Sequence, residues 1–286
     1  MKTVPLAPYV DDAGNRVEFT GPPSESVKIT FRGKNNVARI HPDAVARKLS
    51  VDFNGNNGTF ELGSNPQKRG FSASVRVGQD ASVRIGDGVS STSGVLISAV
   101  EGVTVSIGDD TMFASNNQVR ADDGHPIFDV QTGKRVNVAG SISIGAHTWV
   151  GIGAIVLAGV EIGEGTVIGA NSIVTRSVPN NVIAVGSPAK VTRTDIAWER
   201  PHLGLTEPFY KPDASTITKS KYWRRTDARS VAKDPAKDTA KDTAKDTATD
   251  AAKGTAARPP RKGGKLAHSR HRVSRLLALR RGRRTS

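Results

Sequence analysis

The stretch IGAHTWVGIGAIVLAGVEIGEGTVIGANSIV occupies residues 144–174, and an aliphatic residue recurs in it at every sixth position. These residues are Ile144, Val150, Val156, Ile162, Ile168 and Val174. A period of six fits neither an amphipathic helix nor a simple alternating strand. It predicts a β-solenoid in which three hexads, or eighteen residues, form one triangular coil. We therefore expect Ile144 to lie under Ile162, and Val150 under Ile168.

A longer repeat precedes these hexads. One series has a spacing of 22 residues, at Phe31, Phe53, Val75, Ile97 and Val119. A second series, spaced by 22, 23 and 22 residues, is Ile40, Leu62, Ile85 and Ile107. We interpret both as coils of the same solenoid that carry about four extra residues at one corner. The alternative is a set of β-hairpins with coincidental spacing.

The repeat is interrupted between Ile107 and Ile144, where 37 residues replace the expected 22. The surplus corresponds to residues 121–140, ADDGHPIFDVQTGKRVNVAG. This segment is polar and rich in turn-forming residues, so the narrow interior of a coil cannot contain it. We predict a loop that protrudes from a rigid scaffold, which is a usual location for functional residues.

Composition agrees with a solenoid. Hydrophobic residues make up 36% of the 286 residues and aromatic residues only 5%, which suits a narrow interior filled by Val, Ile and Ala. The sequence has no cysteine, so disulfides, thiolate metal sites and cysteine nucleophiles are excluded. No apolar run is long enough for a signal peptide or a membrane span, and a cytoplasmic location is the default expectation.

The net charge of +14 is concentrated at the C-terminus. Residues 258–286 contain eleven Arg and Lys and no acidic residue, which leaves +3 for the first 257 residues. We expect no specific nucleic-acid binding. One interpretation is a basic tail that is simply solvated. The alternative is a tail that associates weakly with an anionic membrane or polyanion, which would place the protein peripherally at the inner face of the membrane.

Four segments are expected along the chain. Residues 1–25 are predicted to be an irregular lead-in, and residues 26–192 form the solenoid domain. Residues 193–225, which are rich in aromatic residues and proline, are predicted to form a C-terminal cap, because a solenoid end exposes unpaired strand edges. Residues 226–286 include a repeated Lys-Asp-Thr-Ala pattern with few large apolar residues, and this composition predicts disorder.

Among the six histidines, only His125 lies in the protruding loop with acidic residues beside it. Imidazole titrates near neutral pH and can therefore accept a proton from a hydroxyl group. A carboxylate can fix the tautomer of the ring and stabilise the imidazolium, and Asp123 is the nearest candidate for that role. The competing interpretation is a loop histidine without a catalytic role.

Four stretches carry a resemblance to a known family: DDGHPIFD at 122–129, IGAHTWVG at 144–151, VIGANSIVTR at 167–176 and VGSPAKVTR at 185–193. They resemble the hexapeptide-repeat acyltransferases, whose fold is an all-β, left-handed parallel β-helix. The most similar branch contains the O-acetyltransferases of sugars and cell-surface polysaccharides, including the galactoside and maltose acetyltransferases. The capsular-polysaccharide type also shows an Asp, a Thr-Gly and an Asn, which here are Asp123, Thr132-Gly133 and Asn137.

The resemblance implies an acetyl-CoA-dependent O-acetyltransferase that needs no metal and acts on a carbohydrate hydroxyl. His125 would be the general base, with Asp123 as the second catalytic residue. The implied assembly is a homotrimer with the active site between adjacent subunits. Its implied acceptor-binding residues are Asn117, Asp122, Asp129, Asn137 and Trp149.

The implied acetyl-CoA groove is formed by backbone and small side chains, by Trp149, and by cations suited to the phosphates of the donor. Its residues are Trp149, Ile152, Gly153, Ala154, Ala170, Thr175, Arg176, Lys190 and Arg193. Ile152 departs from the family pattern, in which a small polar residue is common. A hydrogen bond from that side chain is therefore impossible here.

Other functions fit the sequence less well. A γ-type carbonic anhydrase requires three metal-binding histidines, and no closely spaced pair lies in the repeats. A serine acetyltransferase would begin with a helical domain, which residues 1–60 do not resemble. A nucleotidyltransferase would need a glycine-rich phosphate-binding motif before the solenoid. The remaining alternative is a non-catalytic β-solenoid whose tail binds a polyanion.

Overall fold

The computed structural model describes residues 1–205 and 207–230, and the regular elements in these residues are β-strands. The first eleven strands are β1 (Lys2–Leu6), β2 (Tyr9–Val10), β3 (Arg16–Glu18), β4 (Ser24–Phe31), β5 (Val37–Ile40), β6 (Ala46–Phe53), β7 (Thr59–Leu62), β8 (Phe71–Val77), β9 (Ser82–Ile85), β10 (Ser90–Ser91) and β11 (Val95–Ala99). The next eleven are β12 (Thr104–Ile107), β13 (Met112–Phe113), β14 (Gln118–Arg120), β15 (Ile142–Ile144), β16 (Trp149–Val150), β17 (Ile155–Leu157), β18 (Glu161–Ile162), β19 (Val167–Ile168), β20 (Ile173–Val174), β21 (Ile183–Gly186) and β22 (Ala189–Arg193). Within this part of the chain, no helix is long and apolar enough to span a membrane.

The strands form three sheets, which are the three sides of the coil. Sheet 1 has the order β1-β4-β6-β8-β11-β14-β17-β20, sheet 2 the order β18-β15-β12-β9-β7-β5-β3-β2, and sheet 3 the order β10-β13-β16-β19-β21-β22. The chain passes from sheet 1 to sheet 2 to sheet 3, and successive coils pair in parallel. The expected pairs Ile144–Ile162 and Val150–Ile168 are both in register. The β-solenoid predicted from the hexads is confirmed.

The interior is a continuous column of aliphatic side chains. Each side of an eighteen-residue coil turns two residues inward, as Val160 and Ile162 do on sheet 2. In the longer coils, sheets 1 and 2 turn three residues inward on each side, as Val103, Val105 and Ile107 do. The prediction of four extra residues at one corner was therefore wrong. The four extra residues lengthen sheets 1 and 2 by two residues each. One of the two points inward and the other outward, because strand residues alternate between the two faces.

The two longer repeats differ in how well they predict register. The pairs Ile40–Leu62, Leu62–Ile85, Ile85–Ile107 and Ile107–Ile144 are all observed. In the other series Phe53 pairs with Val77 rather than with Val75, which pairs with Val51. That coil is two residues longer because the turn after β7 is wide. Asn65 holds this turn by donating to the Val89 carbonyl and accepting from the Arg69 amide.

Both predicted ends of the solenoid need correction. Residues 1–25 are not irregular: β1 pairs antiparallel with β4, and β2 pairs antiparallel with β3. Val4 and Leu6 alternate inward and join the core, so this segment is part of the first coil. At the other end, Thr226 and Ser230 bond the backbone of Asn181 and Asn180, and the ordered C-terminal segment extends past residue 225. The predicted disorder of residues 231–286 concerns residues outside those described.

The protruding loop begins and ends where the interrupted repeat indicates. The Gly140 amide donates to the Ala121 carbonyl over 3.0 Å and closes the base of the loop. The loop leaves from the edge between sheets 1 and 2, after β14 and before β15. The coil continues in register beyond it, since Val119 pairs with Val156.

Successive coils approach each other so closely at Gly145 that a side chain there would overlap the next coil. This close packing can be tested by substitution. A Cβ there would lie 2.5 Å from the Glu164 amide nitrogen, whereas a Cβ at Gly94 would meet nothing within 4 Å. We expect Gly145→Ala to destabilise the fold by about 1–3 kcal/mol, since backbone must move to relieve the overlap. Gly94→Ala is the matched control. Equal unfolding midpoints for the two variants in urea would contradict this packing.

Candidate functional site

The loop that carries His125 is a β-hairpin held by one asparagine. Phe128 and Arg135 form an antiparallel bridge in its stem. Asn137 accepts from the Ile127 amide over 2.7 Å and donates to the His125 carbonyl over 2.8 Å and to the Asp123 carboxylate over 2.9 Å. The predicted acceptor residue Asn137 therefore has a clear structural role, which is to fix the backbone on both sides of His125.

The turn of the hairpin is organised by Asp129. Its carboxylate accepts from the amides of Gln131 and Thr132 and from the Thr132 hydroxyl. The bonds from Thr132, followed by that from Gln131, hold the pKa of Asp129 below its ordinary value. All these bonds are internal to the turn. These bonds give Asp129 a turn-forming role, and the Thr132-Gly133 pair is part of the same turn; the assignment of Asp129 to the acceptor stays a prediction.

Asp122 anchors the base of the loop to the solenoid. Its side chain is buried and forms an ion pair with Arg76, a hydrogen bond with the Ser98 hydroxyl and a bond from the Gly124 amide. A buried carboxylate must be compensated in this way. Because its oxygens are already bonded, Asp122 is better described as a support for the loop than as an acceptor ligand.

His125 itself is exposed beside a groove of about 570 Å³. Three arginines line the groove, Arg32, Arg76 and Arg135, and each has a carboxylate partner. Within the described residues, the hydrogen bonds of Asp123 and Asn137 fix the loop around His125 but do not reach its imidazole ring. The ring is thus accessible from solvent. The pairing of Asp123 with the imidazole remains a prediction.

Asn117 does not face a substrate in this structure. Its side chain is 1% exposed and points into the coil, where Nδ2 donates to the Gly151 carbonyl over 2.6 Å. Its Oδ1 is buried without a hydrogen-bond partner. The observed contacts give Asn117 a structural role, and its expected acceptor role stays a prediction. The residue occupies an inward position at the start of a strand, where asparagine can bond the backbone of the next coil.

Trp149 lies on the outer face of sheet 3, between Met112 and Val167 in the neighbouring coils, and is 40% exposed. Sheet 3 is the side of the triangle opposite the edge between sheets 1 and 2, from which the His125 loop leaves. The groove beside His125 accordingly does not include Trp149. One chain alone does not bring these two predicted site residues together.

The predicted donor-binding residues are distributed over three places. Ile152, Gly153 and Ala170 lie on the edge between sheets 3 and 1, where the Ile152 side chain is 50% exposed. Ala154, on the same edge, is fully buried, so only its backbone can contact a ligand. Thr175 and Arg176 are exposed on the edge that also carries the His125 loop, while Lys190 and Arg193 are exposed on β22 at the end of sheet 3.

A second set of residues was not predicted as functional. It joins the edge between sheets 2 and 3 to residues 196–205 and 207–230, which we call the C-terminal strap. His147 is buried at this edge and lies between two nearly parallel rings, Trp198 at 4.1 Å and Tyr222 at 4.5 Å. Its Nδ1 is 2.6 Å from the Asp110 carboxylate, and its Nε2 is 2.9 Å from the Trp198 carbonyl.

Asp110 is the electrostatic centre of this contact. It also binds Arg200 of the strap and Arg69 of the solenoid. Burial alone would raise the pKa of Asp110, but the hydrogen bond from His147 and the charge of Arg200 outweigh it and hold that pKa below its ordinary value. Sequence analysis missed this cluster because its members are widely separated in the chain, and no local spacing links them.

Residues 1–205 and 207–230 contain no group of three or more His, Cys, Asp or Glu side chains arranged to hold a metal ion. His147, the one histidine in the hexads of residues 144–174, is enclosed by the strap.

Comparisons with known proteins agree with the fold. Residues 141–176 match the family described as bacterial transferase hexapeptide (six repeats). The polysialic acid O-acetyltransferase of Escherichia coli O1:K1 / APEC is 39% identical over 95 residues, which cover 33% of this chain and 31% of that protein. The crystal structure of the polySia specific acetyltransferase NeuO is 35% identical, with a TM-score of 0.61, and the match covers 66% of this chain and 86% of that chain.

A second solved structure, that of the polysialic acid O-acetyltransferase OatWY, is similar in fold. It has a TM-score of 0.55 at 24% identity and covers 68% of this chain and 92% of that chain. The hexapeptide match and the 35% identity to an acetyltransferase of known structure place the chain in the acyltransferase class. The chain belongs to the hexapeptide-repeat acyltransferase family. It spans 31% and 42% of the lengths of the first two curated relatives that it matches.

The lowered pKa of Asp110 predicts how the strap responds to acid. A carboxylate whose pKa is lower in the folded state contributes stability above its unfolded pKa of about 4, and loses it as pH falls through the folded value. We expect Asp110→Asn to unfold at a lower temperature than the wild type at pH 7, and the difference to shrink towards pH 3. Asp12→Asn, at an exposed residue, is the control. A difference that stays constant with pH would contradict the assignment.

Proposed function

We propose that this chain is an acetyl-CoA-dependent O-acetyltransferase that acts on a hydroxyl group of a sugar or cell-surface polysaccharide, or of its precursor. The observation that carries the proposal is the placement of His125. It is an exposed histidine whose backbone is clamped on a loop that leaves an otherwise regular solenoid. A general base must reach its substrate and be held in place, and this arrangement supplies both.

The proposed reaction is a direct transfer. The His125 imidazole accepts the proton of the acceptor hydroxyl as that oxygen attacks the thioester carbonyl of acetyl-CoA. The tetrahedral intermediate then breaks its carbon–sulfur bond, and the departing thiolate takes the proton from the imidazolium. The acetyl ester and CoA are the products. Asp123, fixed by Asn137, supplies a negative charge near the imidazolium that forms.

We further propose that the active site lies between subunits of a homotrimer. His125 and Trp149 lie on opposite sides of the triangular coil, so both can contribute to one site only if a neighbour supplies one of them. The loop also exposes large apolar residues, which a second subunit would cover. These residues are Ile127, Phe128, Val130, Val136 and Val138.

The donor groove would then be built from two chains. One subunit presents Thr175 and Arg176 on the edge that carries its His125 loop. The neighbour presents Trp149 and the adjoining edge around Ile152, whose side chain is 50% exposed. The exposed cations Arg176, Lys190 and Arg193 would bind the phosphates of CoA, because guanidinium and ammonium groups form charge-assisted hydrogen bonds with phosphate oxygens. The acetyl thioester supplies the activated acyl group.

A polysaccharide acceptor is supported by two similar proteins whose names specify polysialic acid. The arginine-lined groove beside His125 offers room for a chain of sugar residues next to the reacting hydroxyl. Because acetyl-CoA is supplied in the cytoplasm, we place the protein there. The alternative of a non-catalytic binding solenoid predicts no loss of function when the His125 imidazole is removed.

Subunit complementation tests the catalytic assignment. We expect His125→Ala and Trp149→Ala to be separately inactive with acetyl-CoA and polysialic acid as probes. Co-assembled at equal ratio, they should recover about one quarter of the wild-type rate, because half the sites receive an intact His125 and half of those an intact Trp149. His41→Ala, at an exposed histidine on another face, is the control. Full activity of His125→Ala would refute the assignment, and no recovery on mixing would refute the shared site.

Donor binding can be tested separately by calorimetric titration with CoA. Each charge-assisted hydrogen bond to a phosphate contributes about 1.5–3 kcal/mol, so we expect Lys190→Ala and Arg193→Ala each to weaken CoA binding by about tenfold or more. Arg16→Ala, which removes an exposed cation from sheet 2, should bind CoA as the wild type does. Absence of binding to the wild type at millimolar CoA would contradict the transferase proposal.

A further inference from the structure

The C-terminal strap reaches beyond the end of the solenoid. Asn181 in the last coil donates to the carbonyls of Ile196 and Tyr222. From there the strap runs back along the edge between sheets 2 and 3, where Trp198 contacts His147 and Arg200 contacts Ser90 and Asp110. These contacts belong to successive coils. A cap that only covered the last coil would not need them.

The strap places one of its tryptophans directly against Trp149. The rings of Trp149 and Trp198 have centroids 5.8 Å apart and are tilted by 48°. Trp198 cannot move freely, because its indole nitrogen donates to the His147 carbonyl over 2.9 Å and its ring stacks on the His147 imidazole. Trp149 is therefore in contact with a ring that is itself fixed on the opposite side.

The same region encloses a cavity of about 580 Å³ over the outer face of sheet 3. All three tryptophans of the chain line it: Trp149, Trp198 and Trp223. The strap adds apolar side chains to its walls, including Leu203 and Ile217. On the sheet itself, Trp149 has only Met112 and Val167 as direct neighbours in the outward row. The strap thus provides the contact that limits the orientation of the Trp149 ring.

We infer that Trp198 is a positioning residue for Trp149, and that the C-terminal strap is in this way part of the acyl-transfer site. This inference rests on the proposed function, in which Trp149 lies beside the acyl donor and the acceptor. Trp198 acts through Trp149: it narrows the range of indole orientations before substrate binds. Preorganisation of this kind affects the rate at saturating substrate, because misplacement of a group beside the reacting atoms raises the barrier.

The test compares two variants, each of which removes one of the two rings that stack on His147. Trp198→Leu removes the contact with both His147 and Trp149. Tyr222→Leu removes the other face of the His147 stack and leaves the Trp149–Trp198 pair intact, so it is the matched control for strap docking. Trp198→Phe is the conservative variant, since it keeps an aromatic face against both neighbours.

We expect Trp198→Leu to lower kcat by about 10- to 100-fold with acetyl-CoA and polysialic acid, with a smaller change in KM. Trp198→Phe should restore most of the rate. Tyr222→Leu should keep a near wild-type kcat even if its melting temperature falls as much as that of Trp198→Leu. A wild-type kcat for folded Trp198→Leu, or equal losses of kcat in the two leucine variants, would overturn the inference.

Circular dichroism provides a readout that does not depend on activity. Two indoles at this separation and tilt couple, so the wild type and Tyr222→Leu should show an exciton couplet in the far ultraviolet. Trp149→Phe and Trp198→Leu should each lack it. A wild type without the couplet would overturn the inference whatever its activity. A wild type with the couplet but without acetyl transfer would instead refute the proposed function, and the positioning role with it.

Discussion

The structure depends on the stacking of inward side chains on their equivalents one coil away. Val75, Ile97, Val119, Val156 and Val174 form one such row along sheet 1. A chain can lengthen a coil only by keeping this row aligned. Residues are therefore added either in inward–outward pairs within a strand or as a loop that leaves and returns at one edge. The His125 loop is the second kind of addition, and it does not interrupt the rows on either side.

The register of the regular coils could be predicted from the sequence, whereas the places where coils become longer were harder to predict. The hexads predicted the pairing register of successive coils, because one aliphatic residue on each side is enough to specify it. The ends of the loop could be located from the length of the interruption in the repeat. The pairing partner of Phe53 could not be predicted. A coil that is two residues longer still alternates inward and outward residues, so the sequence pattern does not reveal the extra length. A period-two pattern cannot distinguish these registers by itself.

The site residues divide in the same way. His125 was selected from the sequence because it lies on the protruding loop beside acidic residues and within a stretch that resembles a known family, and its catalytic role stays a prediction. Polar neighbours such as Asp122, Asp129 and Asn117 were harder to interpret, since a carboxylate or amide can equally satisfy buried backbone or fix a turn. Only the folded structure shows that Asp122 forms an ion pair with Arg76, which lies on a strand two coils earlier. The strap cluster of Asp110, His147 and Trp198 joins segments that no local pattern relates.

Antiparallel strands lie at both ends of the solenoid and bear on whether its parallel sheets can be extended by another chain. Stacked parallel coils with aligned side chains have the same spacing as a fibril and could in principle continue indefinitely by adding further chains. Here β1 runs antiparallel to β4 at the first end, and β22 runs antiparallel to β21 at the last. A second molecule would meet a strand of the wrong direction at these edges. The reversal ends the parallel ladder of sheet 1 at the first end and that of sheet 3 at the last, so neither ladder continues unchanged into another chain there.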